Sequence, residues 1–336
     1  MGSTDPRHIT LLLNPAAGRG RVHRLLPRIV RRLEQELPDS QLRVVQSANP
    51  DDLVRQALLA VSCATGPEPG IRPDALCMLG GDGTASIGLN ACAGSGVSLG
   101  VIPAGTGNDF VRGIGAPRSA RDAVTAIVAG VARRIDLTAV HLVRHADPTT
   151  HHTQNGDAQP MLQARSGDSQ PFCHVGSVVC TGYDAAVNMH VNNSPIDLGK
   201  LSYVWALLAE RRSFRPERYR MSIDGGPDRN LDALLVAVGN AGVIGGGIRI
   251  CPEADPSDGR LDVTVVHPVR MTKLARSLPA LYSGGIAAID EVETFRCRRI
   301  VLDGDWQEAT GDGEPIGPGP LDMRCDPGCL DVLVAP

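Results

Sequence analysis

Aromatic side chains are scarce in this chain, with four Phe, four Tyr and two Trp among 336 residues. Hydrophobic residues nevertheless make up 42% of it, so its cores must be built from Ala, Val, Leu and Ile. No apolar run approaches the roughly 20 residues needed to span a bilayer. Residues 1–8 are polar and lack the apolar centre of a signal peptide. Charge of one sign is not in excess either. The formal net charge is −4, which argues against nucleic acid as the main partner. Nine cysteines, an odd number, are scattered without paired spacing. Cys325 and Cys329 lie four apart, but no His or Cys cluster accompanies them. That pattern gives neither a disulfide framework nor a zinc site, and reads as reduced thiols in a cytosolic protein. No internal repeat is evident, and the length fits two domains or one large one.

Glycine, by contrast, is plentiful and concentrated. Gly80-Gly81-Asp82-Gly83-Thr84 follows the apolar run 75–79 and precedes a small-residue stretch that can wind into a helix. Strand, glycine turn and helix start together make a phosphate site. Glycine lets backbone approach an anion closely, and the free N–H groups of a helix start point at it. Asp82 would repel phosphate unless Mg²⁺ or its water lies between them. Thr84 can cap the helix or bond a phosphate oxygen. The pentapeptide therefore reads as a nucleoside triphosphate site with metal.

Residues 9–13 form a buried parallel strand by their continuous apolar character. The turn Asn14-Pro15-Ala16-Ala17-Gly18-Arg19-Gly20 follows, then a helix over 21–37, in which Pro27 is expected to delay or bend the first turn. Strands are predicted at 42–45, 75–79 and 97–102, with a helix at 51–61. Alternating strands and helices imply an open parallel sheet, whose ligands bind beyond the carboxyl ends of the strands. Three loops hold that position: 14–20, 80–84 and 103–109. Past Ala132 the texture changes to short strand-like runs at 172–180, 219–223, 234–238, 261–266 and 300–302, the pattern of a mainly antiparallel sheet or sandwich. A helix is predicted at 198–210. Residues 143–170 are polar and aperiodic and read as a mobile surface insertion, its His151 and His152 solvated.

Taken with Gly105-Thr106-Gly107-Asn108-Asp109-Phe110 and Asp312-Gly313-Glu314, these features resemble the diacylglycerol kinase catalytic-domain family, which includes bacterial lipid kinases and sphingosine kinases. The resemblance runs in order along nearly the whole chain. It takes in Asn14-Pro15 with Gly18, 80–90, 102–110, Gly182-Tyr183-Asp184-Ala185, 199–203, Gly245-Gly246-Gly247 and Asp258-Gly259-Arg260-Leu261-Asp262. Two positions depart from the family pattern: Ile87 stands where Glu is usual, and Ala17 where Ser is usual.

The resemblance implies an α/β fold: an N-terminal open parallel-sheet nucleotide-binding domain (1–134), then a mainly antiparallel β-sandwich-type substrate domain (135–329). The last strand, 330–336, is expected to return to the first domain. It implies an ATP-dependent lipid kinase using Mg²⁺. ATP contacts would come from Asn14, Pro15, Ala16, Ala17, Gly18, Ser47, Gly80, Gly81, Asp82, Gly83, Thr84, Ala85, Ser86 and Thr106. Asp82 and Asp109 would organise the catalytic Mg²⁺ and its waters. Asp312 and Glu314 form an acid–base pair in which one carboxyl is poised as the general base; the family points to Glu314, with Asp312 the close alternative. Asp258, with the backbone carbonyls of Asp255 and Arg260, would form a second, structural Mg²⁺ loop. Arg211, Arg212, Arg215, Arg218 and Arg220, after the apolar helix, give mild support for a lipid acceptor at an interface.

The expected partner is thus a lipid or other amphiphile, with the protein cytoplasmic or peripheral at a membrane, and a homodimer is open by analogy alone. Two other readings stay in play: a kinase of a soluble or natural-product acceptor, akin to NAD kinases, and a nucleotide-binding regulator without catalysis, for which Ile87 is the hint.

Overall fold

The computed structural model describes residues 6, 8–15, 17–64, 72–143, 171–182, 215–269, 273, 282–304 and 308–336. Ala16, the insertion from 144 onward, the landmarks at 183–185 and 199–203, the helix expected at 198–210, and Arg211 and Arg212 lie outside them. The chain divides into two compact units. The first holds Met1–Leu137, Asp255–Gly259 and Asp326–Pro336, and the second Thr138–Ala254 and Arg260–Cys325. The segment Asp255–Gly259, inside the span expected for the second domain, therefore groups with the first unit.

The first unit is a three-layer α/β structure. Strands β1 (His8–Leu13), β2 (Gln41–Gln46), β3 (Ala75–Gly80) and β4 (Ser98–Pro103) lie parallel in the order β2-β1-β3-β4. All six residues of β3 and of β4 are buried, which is why they read as unbroken apolar runs. Helices α1 (Arg21–Glu36) and α5 (Ala120–Ala129) pack together, as do α2 (Pro50–Ser62) and α3 (Asp82–Cys92), and the short α4 (Asp109–Gly113) packs against α3. Helix α1 starts at Arg21 and runs through Pro27 to Glu36. Of the delay or bend expected from Pro27, the delay is not found: Gly20, with φ 82°, is the N-cap of a helix that starts at Arg21, six residues before the proline. Helix α2 begins one residue before the predicted Asp51. Pro50 takes the first helical position, and the Asn49 side chain accepts from the N–H of Asp52 at 2.8 Å, a standard N-cap.

Helix α3 is buried on almost every side through Thr84, Ala85, Ser86, Gly88, Leu89, Ala91 and Cys92. Its small residues let it sit close on the sheet. A Cβ at Gly88 would come within 2.9 Å of Leu99 Cδ1. This close seat holds the α3 N-terminus at the carboxyl end of β3. Strand β5 (Val131–Leu142) leads into the second unit.

The second unit is a β-sandwich. Its six-stranded sheet has the order β14-β13-β10-β7-β16-β17. These are β7 (Val178–Gly182), β10 (Leu235–Gly239), β13 (Leu261–Val266), β14 (Val292–Cys297), β16 (Ala309–Gly311) and β17 (Glu314–Gly317), all paired antiparallel. The facing strands include β6 (Cys173–Val175), β8 (Glu217–Ile223), β9 (Arg229–Ala233), β15 (Arg299–Gly304) and the start of β18 (Leu321–Val334). Alternate residues of the two sheets interdigitate: Tyr219, Met221, Ile300, Leu302 and Met323 meet Val179, Val236, Val238, Val263 and Val265. Each fully buried aliphatic side chain contributes about 1.5–3 kcal/mol. The other face of the six-stranded sheet is covered by a hairpin of β11 (Val243–Ile244) and β12 (Ile248–Arg249), through Ile248, Ile250 and Cys251. From Asp326 onward β18 belongs to the first unit, where Val332 stands opposite Leu99 in a parallel pairing.

The single strand predicted at 172–180 is two strands, β6 and β7, broken at Gly176 and Ser177. Strands β9 and β14 were not predicted. All nine cysteines are free. Burial pushes the Cys77 and Cys251 thiols up to about 12, so they stay protonated and inert near neutrality. Titration of the native protein with an aromatic disulfide reagent is expected to show one fast thiol, the exposed Cys63, with the six buried thiols reacting only on unfolding; several fast thiols would contradict this packing.

Candidate nucleotide and catalytic sites

In the first unit the strand order places β1 between β2 and β3, and the helices that follow β1 and β3 go to different faces of the sheet. A crevice opens at such a switch point beyond the carboxyl ends of the strands. All three predicted loops are there, and they meet. The N–H groups of Ala104 and Gly105 donate to the Gly80 carbonyl at 2.7 and 3.2 Å. A Cβ at Gly105 would lie 2.6 Å from Gly81 Cα, and a side chain at Gly18 would run into the Ala104 carbonyl. The glycines are there because backbone passes backbone. Ser47, also buried at this end, bonds the Leu13 carbonyl through its N–H at 3.0 Å and its Oγ at 3.2 Å. The N–H of Ala17 closes the first loop onto the Asn14 carbonyl at 3.0 Å. Replacing Gly105 with Ala is expected to destabilise the fold by about 1–3 kcal/mol. It should be visible as a melting temperature lowered by roughly 2–4 °C per kcal/mol; an unchanged melt would mean that the loops are not in contact.

Asp82 opens α3, and its carboxylate ties the second loop to the third. Oδ2 accepts the Asn108 N–H at 2.7 Å and Oδ1 the Asp109 N–H at 2.6 Å. Asn108 supplies the required bend with φ 52°, a conformation Asn tolerates, and its side chain donates to the Gly105 carbonyl at 2.9 Å. Arg112 Nε braces the Gly107 carbonyl at 2.8 Å. Burial raises the Asp82 pKa, and the N–H groups of Asn108, Asp109 and Phe110 pull it down without cancelling the rise. A Cβ built on Gly107 would lie 2.7 Å from Asp82 Oδ2 and 3.5 Å from Asp109 Oδ2. Two carboxylates therefore face one small space that only glycine leaves open. That donor set fits a hard cation such as Mg²⁺, and a cation would favour the charged form that burial disfavours.

Thr84 does not cap α3. The N-cap is Gly81, without a side-chain bond, and Thr84 is buried with its Cβ 2.6 Å from the place of a Gly80 Cβ. Ala85 and Ser86 are buried in the helix, while Thr106 is exposed at the third loop.

In the second unit Asp312 and Gly313 form the two-residue turn between β16 and β17, with φ 52° and 85° and Gly311 paired with Glu314. This is the Asp-Gly hairpin turn. The Asp312 carboxylate accepts three backbone N–H groups: Gly176 at 2.8 Å, Ser177 at 2.7 Å and Val178 at 3.3 Å. Its oxygens are engaged by the fold, while half-buried Glu314 begins β17. Asp255 and Asp258 are exposed, and the Asp255 carboxylate accepts from the Ser257 N–H at 3.0 Å and its Oγ at 2.6 Å. The buried carboxylate that fixes this segment is Asp136, which receives the N–H groups of Gly259 at 2.7 Å and Gly328 at 2.8 Å. Asn108 was noted from sequence only as part of the third-loop motif, and neither it nor Asp136 nor Ser177 was given a site role.

A parallel-sheet crevice of three glycine loops with paired carboxylates, in a chain that also carries a β-sandwich, is the setting of a phosphate-handling enzyme. The comparisons with known proteins are consistent with this. Residues 8–140 match the model of the diacylglycerol kinase catalytic domain, and residues 177–334 that of the YegS C-terminal NAD kinase beta sandwich-like domain. A diacylglycerol kinase of Mycobacterium tuberculosis is 32% identical over 326 residues, 97% of this chain and 94% of that protein. A Stenotrophomonas maltophilia protein described as a probable lipid kinase YegS-like is 30% identical, over 76% of this chain and 77% of its own. The crystal structure of a diacylglycerol kinase from Bacillus anthracis str. Sterne shares the fold at a TM-score of 0.67 and 19% identity, covering 98% of each chain. The chain belongs to the diacylglycerol kinase family, and is a kinase that phosphorylates a hydroxyl group. Among the described residues no helix is long and apolar enough to cross a membrane.

Proposed function

We propose that this kinase is ATP-dependent and transfers the γ-phosphoryl group to a hydroxyl of diacylglycerol or a related lipid or sphingoid base. The observation that carries the reading is the convergence of Asp82 and Asp109 on Gly107, at the mouth of three glycine loops. Asn14, Pro15, Ala16, Ala17, Gly18, Ser47, the stretch 80–86 and Thr106 make up the proposed ATP-contacting loops, whose side chains, Asp82 apart, add no negative charge against phosphate. Mg²⁺, held by Asp82 and Asp109 through oxygen, would neutralise charge on the phosphates. Glu314 takes the proton of the acceptor hydroxyl as its oxygen attacks the γ-phosphorus, and ADP leaves. Asp312 is not the proposed base, because three N–H donors already occupy its carboxylate. Asp258, with the carbonyls of Asp255 and Arg260, is the proposed second Mg²⁺ loop.

A second reading, a soluble acceptor, draws on the match of residues 177–334 to a domain described as NAD kinase-like. Incubating the protein with γ-labelled ATP and Mg²⁺ separates the two. One set of wells would hold diacylglycerol, sphingosine and ceramide in detergent micelles, and another NAD and sugars. Label in one organic-extractable product supports the lipid reading. Label only on a soluble acceptor sinks it and keeps the kinase.

A further inference from the structure

Three loops of the second unit meet at one end of the six-stranded sheet, where β7 begins and β10 and β16 end. Asp312 is the first connector. Besides the three N–H groups on its carboxylate, its own N–H donates to the Val178 carbonyl at 3.1 Å. Ser177 is the second. It is 1% exposed, and its carbonyl accepts the N–H groups of Asn240, Ala241 and Gly242 at 2.9, 3.2 and 3.3 Å. Its Oγ donates to the Val243 carbonyl at 2.5 Å and accepts the Val243 N–H at 3.2 Å. Asn240 Nδ2 reaches back to the Gly176 carbonyl at 3.5 Å. The two-residue connection Gly176-Ser177 thus holds the Glu314 turn on one side and, on the other, the β11–β12 hairpin with its tip of Gly245, Gly246 and Gly247, whose φ angles are 57°, 77° and 121°.

A single buried serine and one turn carboxylate thus join the turn of the proposed base to the β11–β12 hairpin. We propose that Asp312 and Ser177 are positioning residues. Asp312 aims Glu314 by clamping its turn to the start of β7. Ser177 sets the β11–β12 hairpin in register with that turn. The kinetic half of this proposal rests on the kinase reading above; the structural half does not.

Asp312→Asn is a clean probe, because Asn-Gly keeps the left-handed turn while its amide nitrogen cannot accept the N–H donors. In amide hydrogen exchange on the full chain, Asp312→Asn is expected to lose protection over 172–182, and Ser177→Ala over 240–250. Unchanged protection in both would overturn the proposal whatever the enzyme's activity. In steady-state kinetics, Asp312→Asn should lower kcat by about 10²-fold, the scale of a misplaced catalytic group, with the KM for ATP unchanged. Ser177→Ala, which loosens the same connection from its other side, should lower kcat by less, again with the KM for ATP unchanged. The double variant Asp312→Asn/Glu314→Gln should be no slower than Glu314→Gln alone, since groups that act as a unit are not additive. A double variant markedly slower than Glu314→Gln would give Asp312 its own chemical role and overturn its assignment here. If the wild-type protein transfers no phosphate to any hydroxyl, the kinase reading fails, and the exchange result alone decides whether the connection exists.

Discussion

Replacing Asp82 with asparagine is expected to lower turnover with Mg²⁺ and ATP by about 10³-fold, equivalent to ~4 kcal/mol of lost transition-state stabilisation. The side chain keeps its size, so the loss comes from one oxygen and the charge. Both carboxylate oxygens accept backbone N–H groups of the third loop, so part of the loss could arise from a loosened loop. Asp109→Asn separates the two effects. Asp109 contributes its backbone N–H to the brace, which substitution leaves in place, while its carboxylate faces the same space at Gly107. If charge at Gly107 is what matters, Asp109→Asn falls nearly as far as Asp82→Asn with an unchanged melting curve. If either variant stays within tenfold of wild type, the paired-carboxylate account of the nucleotide site is wrong.

Glu314→Gln is the second large effect. Its backbone is fixed by pairing with Gly311, and Gln is of the same shape, so the hairpin should be undisturbed. Removing a general base costs typically 10²–10⁴ in rate, and a loss of about that size in kcat is expected with ATP affinity retained. The comparison with Asp312→Asn is decisive for the old ambiguity between the two carboxyls. The residue that takes the proton shows the larger loss.

The nucleotide half of the molecule was legible because its signals are local. Buried parallel strands read as continuous apolar runs at 75–79 and 97–102, and the glycines between strand and helix announce close backbone passage. What sequence could not show is which groups those glycines make room for. Asn108 bends the third loop so that two N–H groups reach Asp82, 26 and 27 residues away. Asp136 joins Gly259 and Gly328 across 123 and 192 positions, and nothing in its neighbourhood marks it. Thr84 illustrates the opposite error: its type suits a cap, but the close approach of α3 to Gly80 buries it.

The sandwich was legible in class and less so in detail. Strand β9 reads Arg-Asn-Leu-Asp-Ala and carries only Leu231 and Ala233 toward the core, too little apolar content to announce a strand. Strand β18 contains Asp-Pro-Gly, a turn signal, yet runs on through it, with Gly328 at φ 61° donating to Asp136. The Asp-Gly turn at Asp312 was readable as a turn and as half of an acid–base pair. Its clamp on residues 135 and 136 positions earlier is what separates its role from that of Glu314.

The most direct test of the central claim is transfer of label from γ-labelled ATP to diacylglycerol in mixed micelles, run in parallel on wild type, Asp82→Asn and Glu314→Gln, with nucleotide binding measured on each. The account predicts an organic-extractable phosphorylated product from wild type only, with Glu314→Gln still binding ATP. Undiminished transfer by either variant, or label that never leaves the aqueous phase with wild type, would contradict it.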